Sequence, residues 1–359
     1  MESINNTTTA IVATSKGLPL SVQIGLGILL VAFILGFPGN LFVVWTVLCR
    51  VQRRSVTCLL VLNLAVADAF VLLSAPLFMR YLVGGKSWEF GAGMCKAVHY
   101  LCYVNMYVSI YLICVMSMDR WLAVSNPFLS QRLRNTKNLY KVMLGVWIMS
   151  FLMALPIPFY RSAQPINPNI SVYLCSQYHW DWDGHVVFQY LTETILGFLI
   201  PFSFIIFCYT SVICRLRSAM FQGRMKGSLL ILIIIIAFTV FWLPYHLINV
   251  IQVIGLLQSE SLLATAKSAR PNVTAFAFLS SSVNPVLYLF AGSSHIRRAG
   301  FGFMAKFFDG TNSEHTSHRR STSHTDSSAI SRLSLKAFRS GGSRKKSYGV
   351  PPRQAVCVT

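Results

Sequence analysis

The chain alternates long apolar runs with short polar or basic stretches along most of its length. A helix rises about 1.5 Å per residue, so roughly 20 apolar residues cross the hydrocarbon of a bilayer. Seven runs fit such a crossing: residues 22–48, 56–83, 92–124, 139–160, 186–216, 229–257 and 273–291. Polar residues interrupt the third and the seventh, and the seventh is short. The stretches between runs are too brief to hold a soluble domain. No internal repeat relates two halves of the chain, which weighs against a transporter built by duplication. The pattern predicts an all-α integral membrane fold, a seven-transmembrane helix bundle over residues 21–292, preceded by an amino-terminal segment, residues 1–20. Within residues 293–309, Phe301, Phe303, Phe307 and Phe308 alternate with Arg297, Arg298 and Lys306. That composition predicts a short amphipathic eighth helix lying in the membrane interface. Residues 310–359, rich in Ser, Thr, Arg and His, read as a disordered tail.

Composition sharpens this picture. The chain is 54% hydrophobic and 12% charged, about half the charged share of a soluble domain, so much of its surface faces something other than water. A net charge of +20 raises nucleic acid as a partner. The cations, however, cluster between apolar runs and in the tail, a distribution that reports membrane topology rather than a nucleic-acid groove. One alternate set of loops carries Arg50, Arg53 and Arg54, then Arg132, Arg134, Lys137 and Lys141, then Arg215, Arg217, Arg224 and Lys226. The other set holds scattered cations such as Lys86, Arg161 and Lys267. The positive-inside rule makes the first set cytoplasmic, with the amino terminus outside and the tail inside. A multi-pass plasma-membrane protein is the expectation. Sequons for glycosylation at Asn5, Asn6 and Asn169 agree with that orientation. No amino-terminal signal peptide is expected, because no basic stretch precedes an apolar run and a small-residue cleavage site. Nine cysteines contain no CxxC and no Cys/His knuckle, so zinc is not expected. No nucleophile–base pair points to an enzyme.

A charge near the bilayer centre costs at least about 2.5–3.5 kcal/mol, so each one needs a reason. Asp68 lies well inside the second run, and Asn105 and Ser109 share a face of the third. With Ser281 and Asn284 of the seventh they would form an oxygen-lined pocket. Two readings stand side by side: a hydrogen-bond network that holds the bundle together, and a sodium site with Asp68 as the metal ligand. A second polar set occupies the other halves of the helices. It comprises His99, Tyr103, Tyr107, Arg161, Glu193, Tyr245, His246, Asn249 and Arg270. His99 lies roughly 30 Å of helix rise from Asp119. Taken singly, an aromatic is usually packing and an arginine at a helix end usually snorkels. Glu193 is the exception, since an unpaired carboxylate at that depth is costly.

Gly39-Asn40, the run Leu62-Asn63-Leu64-Ala65-Val66-Ala67-Asp68, and Asp119-Arg120-Trp121 match the rhodopsin-like receptor pattern. So do Trp147, Pro201 with Tyr209, Phe241-Trp242-Leu243-Pro244 and Asn284-Pro285-Val286-Leu287-Tyr288. The third residue, Trp121, departs from the commoner tyrosine. The resemblance implies a ligand-operated activator of heterotrimeric G proteins. It implies a switch made of Asp119 and Arg120 as an ion pair, Phe238 and Trp242 beside the Pro244 kink, and Asn284, Pro285 and Tyr288. It gives the Asp68 cluster an allosteric sodium ion, with no other cofactor. Cys95 and Cys175 are expected to form a disulfide, the compartment being oxidising.

The finer pattern is similar to the leukotriene B4 receptors, nearer their type 1 branch. The matching stretches are Gly36-Phe37-Pro38-Gly39-Asn40 with Phe42-Val43-Val44-Trp45, Arg54-Ser55-Val56-Thr57, and Phe128-Leu129-Ser130-Gln131-Arg132-Leu133-Arg134. Phe278-Leu279-Ser280-Ser281-Ser282-Val283-Asn284-Pro285 and Ala299-Gly300-Phe301-Gly302-Phe303 continue the match. No carboxylate lies between His99 and Met118, and no lysine in the seventh run, which excludes the usual amine counter-ion and a retinal Schiff base. The resemblance therefore implies leukotriene B4 or a related acidic lipid, with Arg161 and Arg270 on its carboxylate and the other polar residues on its hydroxyls. It implies inhibitory-class coupling, and a tail phosphorylated by receptor kinases at Ser317, Ser321, Thr322, Ser323, Thr325, Ser327 and Ser328 to recruit arrestin. Membrane lipids are the remaining partner. The rival readings are a receptor for a chemotactic peptide and, from another class, a transporter or channel.

Overall fold

The computed structural model describes residues 18–51, 54–167, 170–180, 182–218 and 225–291. The sequons at Asn5, Asn6 and Asn169, the eighth helix over 293–309 and the residues 317–328 of the tail lie outside the described residues. Among the described residues, six helices are long and apolar enough to cross a membrane: Leu20–Cys49, Val56–Val83, Gly91–Ser125, Lys137–Tyr160, Asp183–Arg215 and Ile231–Gln258. A seventh, Glu260–Ala291, completes the set. These are named first to seventh below. Their bounds follow the apolar runs to within a few residues, except at the start of the seventh. That helix begins at Glu260 rather than at residue 273, because its opening turns carry Glu260, Lys267 and Arg270 and escape a hydropathy count. At 32 residues it is roughly 48 Å long, more than the hydrocarbon needs.

Helices are the only open-chain answer to an apolar solvent, because every backbone polar group finds its partner within the segment. Side chains close the ends at the basic loops. Ser55 caps the second helix by accepting from the Cys58 N–H, and Asn135 caps the fourth by accepting from the Lys137 N–H. Asn126 does the same for a short helix, Pro127–Leu133, that follows the third. Large apolar side chains such as Ile34, Phe70, Leu144, Phe159, Ile200 and Ile236 stand exposed around the bundle, where lipid would cover them.

The third helix runs through the middle and touches the second, fourth, fifth and sixth. Its buried face, Tyr103, Met106, Tyr107, Ile110, Ile113 and Met116, recurs every three or four residues, as a helix with one face turned to the core requires. Polar ties join the other helices. Trp147 Nε1–H donates to Asn63 Oδ1 at 3.1 Å, linking the fourth to the second. Pro285 has no N–H, so the Ser281 carbonyl loses its helical donor. Asn40 Nδ2 supplies one at 2.8 Å, and also reaches the Gly36 carbonyl at 3.0 Å. Gly36 and Gly39 permit that approach. A Cβ on Gly36 would sit 2.7 Å from both Leu72 Cδ1 and Ser282 Cβ, and one on Gly39 2.9 Å from Pro285 Cβ.

Between the fourth and fifth helices the chain forms an antiparallel hairpin, β1 (Arg161–Asn167) and β2 (Ile170–Gln177). Its register places Arg161 opposite Gln177 and Ala163 opposite Cys175. The expected disulfide joins Cys175 to Cys95 at the head of the third helix, with a Cα separation of 5.8 Å. Closing that 80-residue loop stabilises the fold by about 4–5 kcal/mol in the chain-entropy model.

The glycine contacts give a direct check. Gly36→Ala should lower the melting temperature of the detergent-solubilised protein, by a destabilisation of about 1–3 kcal/mol. Gly27→Ala, where a Cβ meets nothing within 4 Å, should leave it unchanged or slightly higher. Equal melting of the two variants would contradict the close first–second–seventh packing.

Candidate functional site

A cavity opens between the helices toward the hairpin. Arg161, Arg270, His99, Tyr103 and Tyr245 supply its main polar wall. Val71, Phe78, Met106, Trp242, Ala277 and Phe278 make the rest largely apolar, and Asn105 and Ser281 also border it.

The third helix presents His99 and Tyr103, four residues apart, on one face. His99 Nδ1 lies 2.8 Å from the Cys95 carbonyl and 3.6 Å from Cys175 Sγ. Cys95, His99 and Cys175 thus gather like metal ligands, but the two sulfurs are bonded to each other. The Tyr103 and Tyr245 hydroxyls are 2.7 Å apart, and Tyr245 donates to Glu193 Oε2 at 3.0 Å, so Tyr103 must be the donor to Tyr245. Asn249 Nδ2 donates to the same carboxylate oxygen at 3.1 Å, and Gln189 Nε2 to Oε1 at 2.6 Å. Glu193 is 3% exposed and held by three neutral donors. Its cation stands one residue away. Arg270 donates from Nη2 to Asn249 Oδ1 at 3.0 Å and from Nε to Gln252 Oε1 at 2.8 Å. The Arg270 guanidinium also lies 4.3 Å from the Tyr190 ring centre and 5.7 Å from that of Tyr245. Arg161 contrasts with it, since its buried Nε has no hydrogen-bond partner.

Of the nine side chains read as ligand contacts, five border the cavity: His99, Tyr103, Arg161, Tyr245 and Arg270. Tyr107, Glu193, His246 and Asn249 do not. Glu193 and Asn249 sit one layer back, bonded to Tyr245 and Arg270. Tyr107 stacks on Tyr111 at 6.0 Å. His246, 2% exposed, stacks on Phe198 at 4.9 Å and has no partner on either ring nitrogen. Helix periodicity puts such residues near one level but does not say which layer each occupies. Sequence reading missed Gln189, Tyr190 and Gln252, which hold the charged pair. Their signal was spacing: Gln189 lies four residues before Glu193, and Gln252 three after Asn249.

The Asp68 cluster assembles as expected in part. Asp68 is 1% exposed and accepts from Asn284 Nδ2 at 2.7 Å, while Asn105 Nδ2 donates to Ser281 Oγ at 3.2 Å. Asn105 Oδ1 and Ser109 Oγ are buried without a partner. At the basic-loop end the expected Asp119–Arg120 ion pair gives way to another. Asp119 is gripped by Arg134 at two 2.9 Å bonds, and Arg120 donates to Thr57 Oγ1 at 2.6 Å. Adjacent helical residues point about 100° apart, so Asp119 turns to the loop helix and Arg120 to the second helix. Phe238 and Trp242 stack at 5.8 Å just before Pro244, and Pro285 lies inside the seventh helix with Tyr288 following.

Two outcomes follow from this geometry. Glu193→Leu strands three donors and should destabilise the protein by about 2–4 kcal/mol, clearly more than Glu193→Gln, which keeps an acceptor. Melting curves of both variants check the order. In the loop, burial pushes His179 below the usual histidine range, against the hydrogen bond to Gln189 at 2.7 Å and with help from nearby Arg161. The unfolded chain therefore takes up this proton first as pH falls. Stability contributed above about pH 6.5 should decline below it, and His179→Gln should flatten that part of a melting-versus-pH profile.

Residues 39–288 match the family model described as 7 transmembrane receptor (rhodopsin family). The chain is 43% identical to leukotriene B4 receptor 1 of Homo sapiens, over 88% of this chain and 90% of that one. It is 38% identical to leukotriene B4 receptor 2 of Homo sapiens, over 80% and 81%. Chemerin-like receptor 2 of Mus musculus is 32% identical over 72% of each. A multi-pass helical bundle, matched over most of its length by these relatives, places this chain in the rhodopsin family of seven-transmembrane G-protein-coupled receptors, among the leukotriene B4 receptors.

Proposed function

We propose that this receptor binds leukotriene B4 or a closely related acidic lipid and, when occupied, activates a heterotrimeric G protein of the inhibitory class. The observation that carries this reading is the cavity wall: two arginines, Arg161 and Arg270, over an interior otherwise lined by apolar and aromatic side chains. A carboxylate would satisfy the unpartnered Nε of Arg161, and a hydrocarbon tail would cover Val71, Phe78, Met106 and Phe278. In this reading the His99 ring and the Tyr103 and Tyr245 hydroxyl oxygens, which border the cavity, meet hydroxyl groups between head and tail. Tyr107, Glu193, His246 and Asn249 act in this reading from behind the wall. The similarity to receptors named for leukotriene B4 supports the same ligand class.

The basic loops with Arg50, Arg54, Arg132, Arg134 and Arg215 would face the cytoplasm of the plasma-membrane-resident protein, which puts the hairpin and cavity outside. Ligand contact with Trp242 and Tyr245, on either side of Pro244, would bias the bend of the sixth helix. Its outward swing, the element that two-state receptors move, would accompany release of Arg120 from Thr57 and of Asp119 from Arg134. Receptor kinases, and arrestin on a phosphorylated tail, complete the proposed partners. A sodium ion fits the Asp68 cluster on chemical grounds: one carboxylate and the two buried, unpartnered oxygens of Asn105 and Ser109 are hard donors. Asp68, Asn105 and Ser109 would hold it, with Ser281 and Asn284 beside them, and its charge would stabilise the resting arrangement.

Binding of tritiated leukotriene B4 to membranes from cells expressing the chain tests the ligand. Saturable binding is expected, weakened on the order of 10- to 100-fold by Arg161→Ala and by Arg270→Ala. Surface-expressed receptor that binds none would overturn the lipid reading. Replacing sodium by N-methylglucamine should raise agonist affinity, and Asp68→Asn should abolish that response. An affinity indifferent to sodium in the unmodified receptor would remove the ion from the account.

A further inference from the structure

We infer that the hairpin sets the spacing of the two cavity arginines, and that Gln177 and His179 are positioning residues for the ligand's acidic group. This deepens the acidic-lipid reading and rests on it.

Two side-chain relays leave the end of β2 and enter the bundle. In the first, the Tyr190 hydroxyl donates to Gln177 Oε1, Gln252 Nε2 donates to the Tyr190 oxygen at 3.1 Å, and Gln252 Oε1 accepts from Arg270 Nε. In the second, His179 Nε2 meets Gln189 Oε1 at 2.7 Å, and Gln189 Nε2 donates to Glu193. The relays converge on Asn249, which accepts from Arg270 and donates to Glu193.

The direction of every bond in these relays is fixed by the charges at their inner ends. A guanidinium only donates, so Gln252 must turn its oxygen to Arg270 and its amide hydrogens to Tyr190. The Tyr190 proton is then free for Gln177 alone. A carboxylate only accepts, so Gln189 turns its amide hydrogens to Glu193 and its oxygen outward. His179 must therefore carry a proton on Nε2. Neither amide can flip without setting donor against donor or oxygen against carboxylate.

The outer ends of the relays are equally constrained. Gln177 lies opposite Arg161 in the strand pair, so one register holds Arg161 directly and Arg270 through Gln177, Tyr190 and Gln252. The disulfide at Cys175 anchors the same strand two residues earlier. The Tyr178 N–H donates to the Tyr160 carbonyl at 2.9 Å, and the His179 ring stacks on Tyr160 at 4.9 Å, so the segment beyond β2 is held against the end of the fourth helix. A shift of the hairpin would move both cations relative to each other.

The test compares leukotriene B4 with its methyl ester, which has the same tail and hydroxyls without the anionic head. Gln177→Leu should lower affinity for the acid roughly three- to tenfold and leave the ester unchanged. In Arg270→Ala the same substitution should have no further effect, since the relay then ends on nothing. A loss of general structure would weaken acid and ester alike, and that result overturns the inference, as does full acid affinity in Gln177→Leu. Melting temperatures of the purified, ligand-free protein supply a second cycle. Gln177→Leu and Gln252→Leu should be clearly non-additive, and strictly additive shifts would refute the relay. If the unmodified receptor binds neither acid nor ester, the lipid reading fails by itself and the melting cycle still decides the relay.

Discussion

Hydrocarbon offers no hydrogen bonds, and this governs where every polar side chain of the bundle can go. The apolar residues may face lipid anywhere around the circumference, and they do. The polar ones must turn inward and find one another. Three polar centres result, at different depths. Near the hairpin, Glu193 and Arg270 are joined through Asn249. In the middle, Asp68 meets Asn284 beside Asn105 and Ser281. At the basic loops, Asp119 and Arg134 pair while Arg120 finds Thr57. The third helix contributes to every level, which is why it occupies the centre.

The hairpin-end centre keeps its charges apart by one amide. A direct buried ion pair would neutralise both ends and leave an arginine little reason to face a ligand. With Asn249 between them, Glu193 is satisfied by neutral donors and the guanidinium still borders the cavity. The sixth helix provides Tyr245, Asn249 and Gln252 to this arrangement, on either side of the fifth helix's carboxylate and the seventh helix's cation. Rotation of the sixth helix beyond Pro244 therefore cannot leave either charge undisturbed.

The helices could be read directly from hydropathy because lipid imposes a simple rule on long segments. The rule failed at residues 260–272, where the seventh helix continues with Lys267 and Arg270 on it, since a helix outside the hydrocarbon has no apolar signature. The disulfide and the Asp68 cluster were visible as residue types at matching levels. Depth along a helix follows from counting, and so His99, Tyr103, Tyr245 and Arg270 came together as expected. The azimuth around each helix does not follow from counting. Glu193 and His246 accordingly lie behind the wall rather than on it, and Asp119 pairs with Arg134 rather than with Arg120. Gln177 ends a hairpin whose register no membrane rule predicts, and His179 lies just beyond it.

The Asn40 side chain couples the first helix to the seventh. Its acceptor, the Ser281 carbonyl, is 241 residues away and exists only because Pro285 has left it without a donor. The first helix is thus tied to the seventh. Before that tie forms, Asn40 can donate to the Gly36 carbonyl of its own helix, so a polar side chain can enter the bilayer without waiting exposed. Arrival of the seventh helix then gives the amide its second acceptor and the bent backbone its missing donor in a single contact. Assembly of the bundle in the membrane therefore has a step in which the Asn40 N–H and the Ser281 carbonyl gain this contact together.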